Sequence, residues 1–140
     1  YHFWYPIEAE PMREAAEALL GEHDFTSFRA SGGGASTSVR KIETLNVEVR
    51  GPFLEVVIEA NGFLYKMARN IVGTLIEVGA GRQPVDWVAG VLNARDRTEA
   101  GPTAPAHGLC LERVFYDERT GGTAAPEAGE SAAFRRLWFL

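Results

Sequence analysis

The longest run of apolar positions with helical spacing lies between residues 62 and 80. Wound at about 100° per residue, Phe63, Leu64, Met67, Ala68, Ile71, Val72, Leu75, Ile76 and Val78 share an arc wider than half the helix. Upstream, alternation at Leu45, Val47 and Val49 predicts a strand, Gly51-Pro52 a turn, and Leu54, Val56 and Ile58 a second strand antiparallel to the first. The aromatic start, Tyr1 to Tyr5, reads as a strand ending near Pro6. A helix is expected from Pro11 to Leu20, with Met12, Ala15, Ala16 and Leu19 on its apolar face and Gly21 stopping it. Residues 22–30 then run into Ser31-Gly32-Gly33-Gly34, expected to be a flexible loop. A shorter helix opened by Pro84 carries Val85, Val88 and Leu92, and a last strand is expected from Leu109 to Tyr116.

This order, strand, helix, strand, strand, helix, strand, predicts a ferredoxin-like βαββαβ fold of the α+β class. It would be an antiparallel sheet with helices on one face, plus a short extra helix and a C-terminal tail. The expected organisation is a domain over residues 1–117, a linker of Gly, Ala, Glu and Thr over 118–133, and an apolar segment over 134–140 able to dock.

Composition narrows the class. With 140 residues, 46% of them hydrophobic, the chain can bury one core, so one domain is expected. The single Cys110, between Leu109 and Leu111, is expected to be a reduced, buried thiol, which favours the cytoplasm. The start carries no basic region, cleavage site or initiator Met, so the expectation is a cut chain without a signal or transit peptide. Lys66, Arg69, Asn70 and Glu77 interrupt the most apolar helix, so no membrane span is expected. The formal net charge of -5 argues against a free-standing nucleic-acid binder, although Arg29, Arg40, Arg82, Arg95 and Arg97 are able to form a local basic face.

Candidate chemistry centres on Arg69, which falls beside Ile76 at the edge of the apolar arc. A guanidinium there loses water and needs a planar acceptor, a carboxylate or a phosphate, in return. A structural ion pair or a snorkelling side chain is the ordinary alternative. Lys66 one turn earlier and Gly73 one turn later, the latter clearing space for a close approach, make the region a candidate anion site. Other chemistries are disfavoured. His2, His23 and His107 sit in no nucleophile turn and lack metal-ligand spacing, so no metal is expected. The Ser31 to Gly34 loop lacks the Lys-Ser/Thr ending of a phosphate loop. Arg50-Gly51 could open the third strand of an RNA-recognition motif, but Pro52, Leu54 and Val57 stand where base-stacking rings would be required.

Phe63-Leu64-Tyr65-Lys66-Met67-Ala68-Arg69-Asn70-Ile71-Val72-Gly73, Glu77-Val78-Gly79, Ala94-Arg95-Asp96-Arg97 and Gly101 through His107-Gly108-Leu109 resemble the C-terminal half of the TruA family of tRNA pseudouridine synthases. His23-Asp24-Phe25-Thr26-Ser27-Phe28-Arg29 matches too, and the resemblance runs from about Met12 to Tyr116. It implies isomerisation of uridine to pseudouridine in the tRNA anticodon stem-loop, with no cofactor or metal, on a base extruded from its stack. It further implies that Arg69 holds a catalytic aspartate ionised and oriented, and that Leu109 packs under the target base. Lys66 would contact an RNA phosphate, and Arg29, Arg95 and Arg97 are expected to do so on position and charge alone. The Arg-Thr-Asp-Ala-Gly type motif that carries the family's aspartate has no counterpart in this sequence. Asp24 and Asp96 belong to other motifs. The expected partners are therefore tRNA, an N-terminal catalytic half, and a second copy in a homodimeric parent protein. A non-catalytic RNA-binding or dimerisation module, with Phe134 to Leu140 packed over the surface left by that half, is the alternative.

Overall fold

The structure, a computed structural model, describes residues 6–109 and the backbone of residues 137–139. Helix α1 (Ala9–Ala16) continues into a 3₁₀ turn, Glu17–Leu19. It starts two residues before Pro11, which still falls in the first turn, where the missing N–H costs nothing. Met12, Ala15, Ala16 and Leu19 are all buried, as their spacing predicts.

Four strands follow one another in the sheet: β1 (Gly21–Asp24), β2 (Val39–Arg50), β3 (Phe53–Ala60) and β4 (Leu137–Phe139), each antiparallel to its neighbour. The hairpin β2–β3 sets Leu45 opposite Ile58 and Val47 opposite Val56, the two predicted strands in register. β2 also extends six residues before Leu45. Between Ile42 and Thr44 a register shift inserts one extra residue, so the buried positions run Arg40, Ile42, then Leu45, Val47. The bulge breaks the period of two, which hid the first half of this strand in the sequence.

β1 was not expected. Its residues, Gly-Glu-His-Asp, have no apolar alternation, and ladder pairing with β2 is what makes them a strand: Gly21 opposite Ile42, Asp24 opposite Val39. At the other edge, Leu137 and Phe139 pair with Val56 and Leu54. The strand expected at residues 1–5, all but the first residue of the one expected from Leu109 to Tyr116, Cys110 and the linker over 118–133 lie outside the described residues. The α+β class with an antiparallel sheet and packed helices is thus observed, while the full βαββαβ order is not traced within them.

The principal helix, α2 (Met67–Gly79), begins five residues later than its apolar arc suggests. Lys66 adopts a left-handed conformation at φ 58°, which stops the helix from extending backwards. The Tyr65 carbonyl accepts instead from Ala30 N–H, at 3.0 Å. From Asn70 to Ile76 every residue is buried. α3 (Trp87–Ala94) adds Val88, Val91 and Leu92 to a single core with α1, α2 and one face of β2–β3. Among the described residues no helix is long and apolar enough to cross a membrane.

Candidate functional site

The first turns of α2 are where distant parts of the chain meet. Gly101 to Ala104 lies across this helix so closely that a Cβ on Gly73 would fall inside the contact radius of the Pro102 carbonyl oxygen. Thr74 Oγ1 accepts from Gly101 N–H at 3.0 Å and donates to the Asn70 carbonyl at 2.7 Å, fixing the segment's start. A reciprocal pair fixes its other end. Ala104 N–H donates to the Arg69 carbonyl at 3.1 Å, and Arg69 Nε donates to the Ala104 carbonyl at 2.7 Å.

This clamp sets the direction of the Arg69 side chain. With Nε committed, the two Nη groups are left to meet an acceptor, and among the described residues no carboxylate lies within ion-pair distance. The partner that the sequence failed to supply is missing from this part of the structure too.

Asn70, which the sequence suggests only as a polar break in the apolar arc, is the hub of the site. Its side chain is fully buried. Nδ2 donates to the Phe28 carbonyl at 2.8 Å, and Oδ1 accepts from Thr103 Oγ1 at 2.6 Å and Arg97 Nη2 at 3.1 Å. Arg97 Nη2 also donates to Thr103 Oγ1 at 3.1 Å. One amide therefore ties together three segments: the turn before Arg29, the turn carrying Arg97, and the segment leading to Leu109. The available signal was an amide beside Arg69 in the buried arc, where a polar group must be hydrogen-bonded.

Two short acidic motifs shape those turns. Asp24 Oδ1 accepts from Thr26 N–H at 3.0 Å and from the Thr26 hydroxyl. Asp96 Oδ1 does the same with Thr98, at 2.9 and 2.7 Å. Each Asp-x-Thr closes a local turn that opens a 3₁₀ segment, Thr26–Phe28 and Arg97–Glu99. Ser27 joins them by donating to the Val91 carbonyl and accepting from Asp96 N–H at 2.9 Å. Both aspartates thus have structural work in these turns.

The Thr26 hydroxyl bond is the largest cause holding the Asp24 carboxyl below its ordinary 3.8, with the Thr26 N–H and Arg95 acting the same way against desolvation. A depressed folded-state pKa contributes stability above the unfolded value, lost as pH falls through the folded one. Asp24→Ala is therefore expected to cost about 1 kcal/mol near pH 7, the usual net contribution of such a hydrogen-bond acceptor. Urea denaturation should show the gap to wild type narrowing only below pH 3.8, the ordinary value for this carboxyl.

The remaining candidates sit around this hub to different degrees. Arg29 is half-buried and donates to the carbonyls of Gly33 and Ala35 and to Ser38 Oγ, at 3.3, 2.7 and 3.1 Å. Arg95 ends α3 in a left-handed conformation, exposed, with Nε 3.8 Å from Asp24 Oδ2. Lys66 is exposed, its Nζ 5.2 Å from the Tyr65 ring centroid. Leu109, 44% exposed, follows the 3₁₀ turn Ala106–Gly108 that continues the clamped segment. Arg82 leaves the expected basic face, because it forms a two-pronged pair with Glu77 at 2.8 and 2.9 Å. Among the described residues no cluster of His, Cys, Asp and Glu is able to hold a metal ion.

Residues 15–117 match the family model of tRNA pseudouridine synthase. The chain is similar to tRNA pseudouridine synthase A of Shewanella amazonensis, 48% identical over 120 residues, covering 86% of this chain and 46% of that protein. The protein of the same name from Myxococcus xanthus is 50% identical over 131 residues, covering 89% and 49%. That from Bordetella petrii is 50% identical over 111 residues, covering 79% and 41%. The chain spans about half the length of the curated relatives it matches.

Proposed function

Because the chain belongs to the tRNA pseudouridine synthase family, we propose that it supplies the arginine half of a composite active site that isomerises uridine to pseudouridine in the tRNA anticodon stem-loop. The observation that carries this reading is the state of Arg69: Nε is locked to the Ala104 carbonyl, and no carboxylate pairs with it among the described residues. An aspartate from a part of the parent protein outside this chain completes the pair. The guanidinium keeps that aspartate ionised by favouring its charged form, and two Nη donors orient it.

The reaction breaks the bond between uracil N1 and ribose C1′ and forms one between C5 and C1′. C5 loses a proton and N1 gains one. Atoms balance without an oxidant or reductant, so the isomerisation calls for no cofactor. Leu109, exposed at the end of the clamped segment, packs under the extruded base. Lys66, Arg29, Arg95 and Arg97 contact phosphates around it, with Arg97 and Arg29 held in place by the bonds already described. The parent acts on tRNA in the cytoplasm as a homodimer, and this chain by itself is inactive.

Tritium release from tRNA labelled at uridine C5 tests the proposal. The full-length parent is expected to release label into water and the 140-residue chain is expected to release none. Turnover by the chain alone would overturn the composite site, and no turnover by the parent would sink the enzyme reading.

A further inference from the structure

The basic residues among the described positions fall into two groups. Arg13, Lys41, Arg50, Arg82 and Arg95 each lie within ion-pair distance of a carboxylate. Among the described residues, Arg29, Arg40, Lys66, Arg69 and Arg97 do not. Within the second group Arg40 is the anomaly, because it is only 7% exposed. A buried guanidinium with no counter-charge is costly, and proteins ordinarily avoid it.

Arg40 points inward from β2, ahead of the bulge, and Nη1 is spent on the carbonyls of Thr37 and Val39, at 3.0 and 2.7 Å. Nε is buried with no hydrogen-bond partner. Nη2 has no acceptor among the described residues. The edge formed by Nε and Nη2 is the one that meets an oxyanion with two parallel N–H donors. Arg29 stands close enough for its charge to depress the pKa of Arg40, second to burial itself. The two guanidiniums bind the same stretch of chain, Arg29 at Gly33, Ala35 and Ser38, Arg40 at Thr37 and Val39.

Gly62 lies against the unpartnered edge. A Cβ there would stand 3.3 Å from Arg40 Nε, so an added side chain would crowd that buried donor. Two like charges held together over a satisfied loop, with one donor edge left over, describe a site waiting for negative charge between them.

We propose that the Nε–Nη2 edge of Arg40 and the guanidinium of Arg29 form an oxyanion site that takes a phosphate group. The phosphate relieves the repulsion between the two cations and satisfies the buried Nε. Its source is either free phosphate or a phosphodiester of bound RNA. The second source rests on the RNA-modifying role proposed above, and the first does not.

Thermal unfolding of the 140-residue chain with inorganic phosphate, against chloride at matched ionic strength, tests the site. A saturable rise in Tm is expected with phosphate only. Arg29→Gln should weaken the half-saturating phosphate concentration at least about tenfold, by removing one of two charge-assisted donors. Gly62→Ala should weaken it too without removing charge, which keeps the test open if Arg40→Gln fails to fold. Arg50→Gln, remote from the loop, should leave it unchanged. No phosphate-specific rise, or an equal rise in Arg29→Gln, would overturn the site.

Salt titration of tRNA binding by the full-length parent separates the sources. If a phosphodiester occupies the site, Arg29→Gln should reduce the slope of log affinity against log salt by about one. An unchanged slope alongside an intact phosphate response would assign the site to free phosphate and overturn the RNA source. A parent that makes no pseudouridine while the phosphate response persists would remove the proposed function and leave the site standing.

Discussion

Replacing Arg69 by alanine in the full-length parent is expected to lower single-turnover tritium release by on the order of 10³-fold, while tRNA affinity changes by no more than about threefold. The first figure is the usual cost of removing a preorganised charged donor from a water-poor site. The second follows from the position of the guanidinium, which is turned by the Ala104 carbonyl and held at the start of α2. Its proposed task is to keep a carboxylate ionised. Each pKa unit of that effect is about 1.36 kcal/mol, and an opposite charge in contact supplies one to three units. Arg69→Lys should restore little. It keeps the charge, but it has no Nε to satisfy the Ala104 carbonyl and no planar pair of donors. Rapid-quench tritium release and filter binding on the same variants read the two quantities. Comparable losses in both would turn Arg69 into a phosphate contact and remove it from the chemistry.

Gly73→Ala is expected to destabilise the domain by about 3 kcal/mol, at the upper end of what overpacking costs. The added methyl would overlap the Pro102 carbonyl, which is backbone and has no rotamer through which to escape. The helix and the segment must separate, and the consequences spread. Gly101 N–H loses Thr74, Ala104 leaves Arg69, and Thr103 withdraws from the buried amide of Asn70. For a domain of this size the loss corresponds to a Tm lower by roughly 15 °C. Thermal unfolding by circular dichroism checks it. A change within a degree of wild type would show that the clamp is not packed as described. Activity in the parent should fall with stability, since the same contact aims the arginine.

Much of the fold was legible where a period was clean. The apolar face of α1, that of α2 from Met67 onward and the antiparallel pair of strands holding Leu45 and Ile58 rest on side-chain spacing alone, and the structure keeps them. Failures came where spacing carries no information. β1 is a strand only because β2 lies beside it, and the bulge after Ile42 shifts the inward set by one residue. The N-terminal end of α2 was misplaced because a left-handed Lys66 leaves no trace in hydrophobic pattern.

The site divides in the same way. Local chemistry singled out Arg69, with Lys66, Gly73 and the Gly101 to Leu109 segment, because a costly arginine, a missing side chain and a rigid connector are properties of residues and near neighbours. By itself the sequence determined the class of fold and singled out the first turn of α2 as a candidate anion site. Tertiary structure alone decided that Asn70 binds three segments into one site, that Ala104 turns Arg69, that Asp24 and Asp96 close turns, and that the Nε of Arg40 is buried without an acceptor. Each of these depends on which groups, far apart in the chain, end within about 3 Å of one another, the range in which a hydrogen bond forms. Spacing along a chain cannot encode that distance. Packing does, by bringing residues 28, 70 and 103 to the same buried amide.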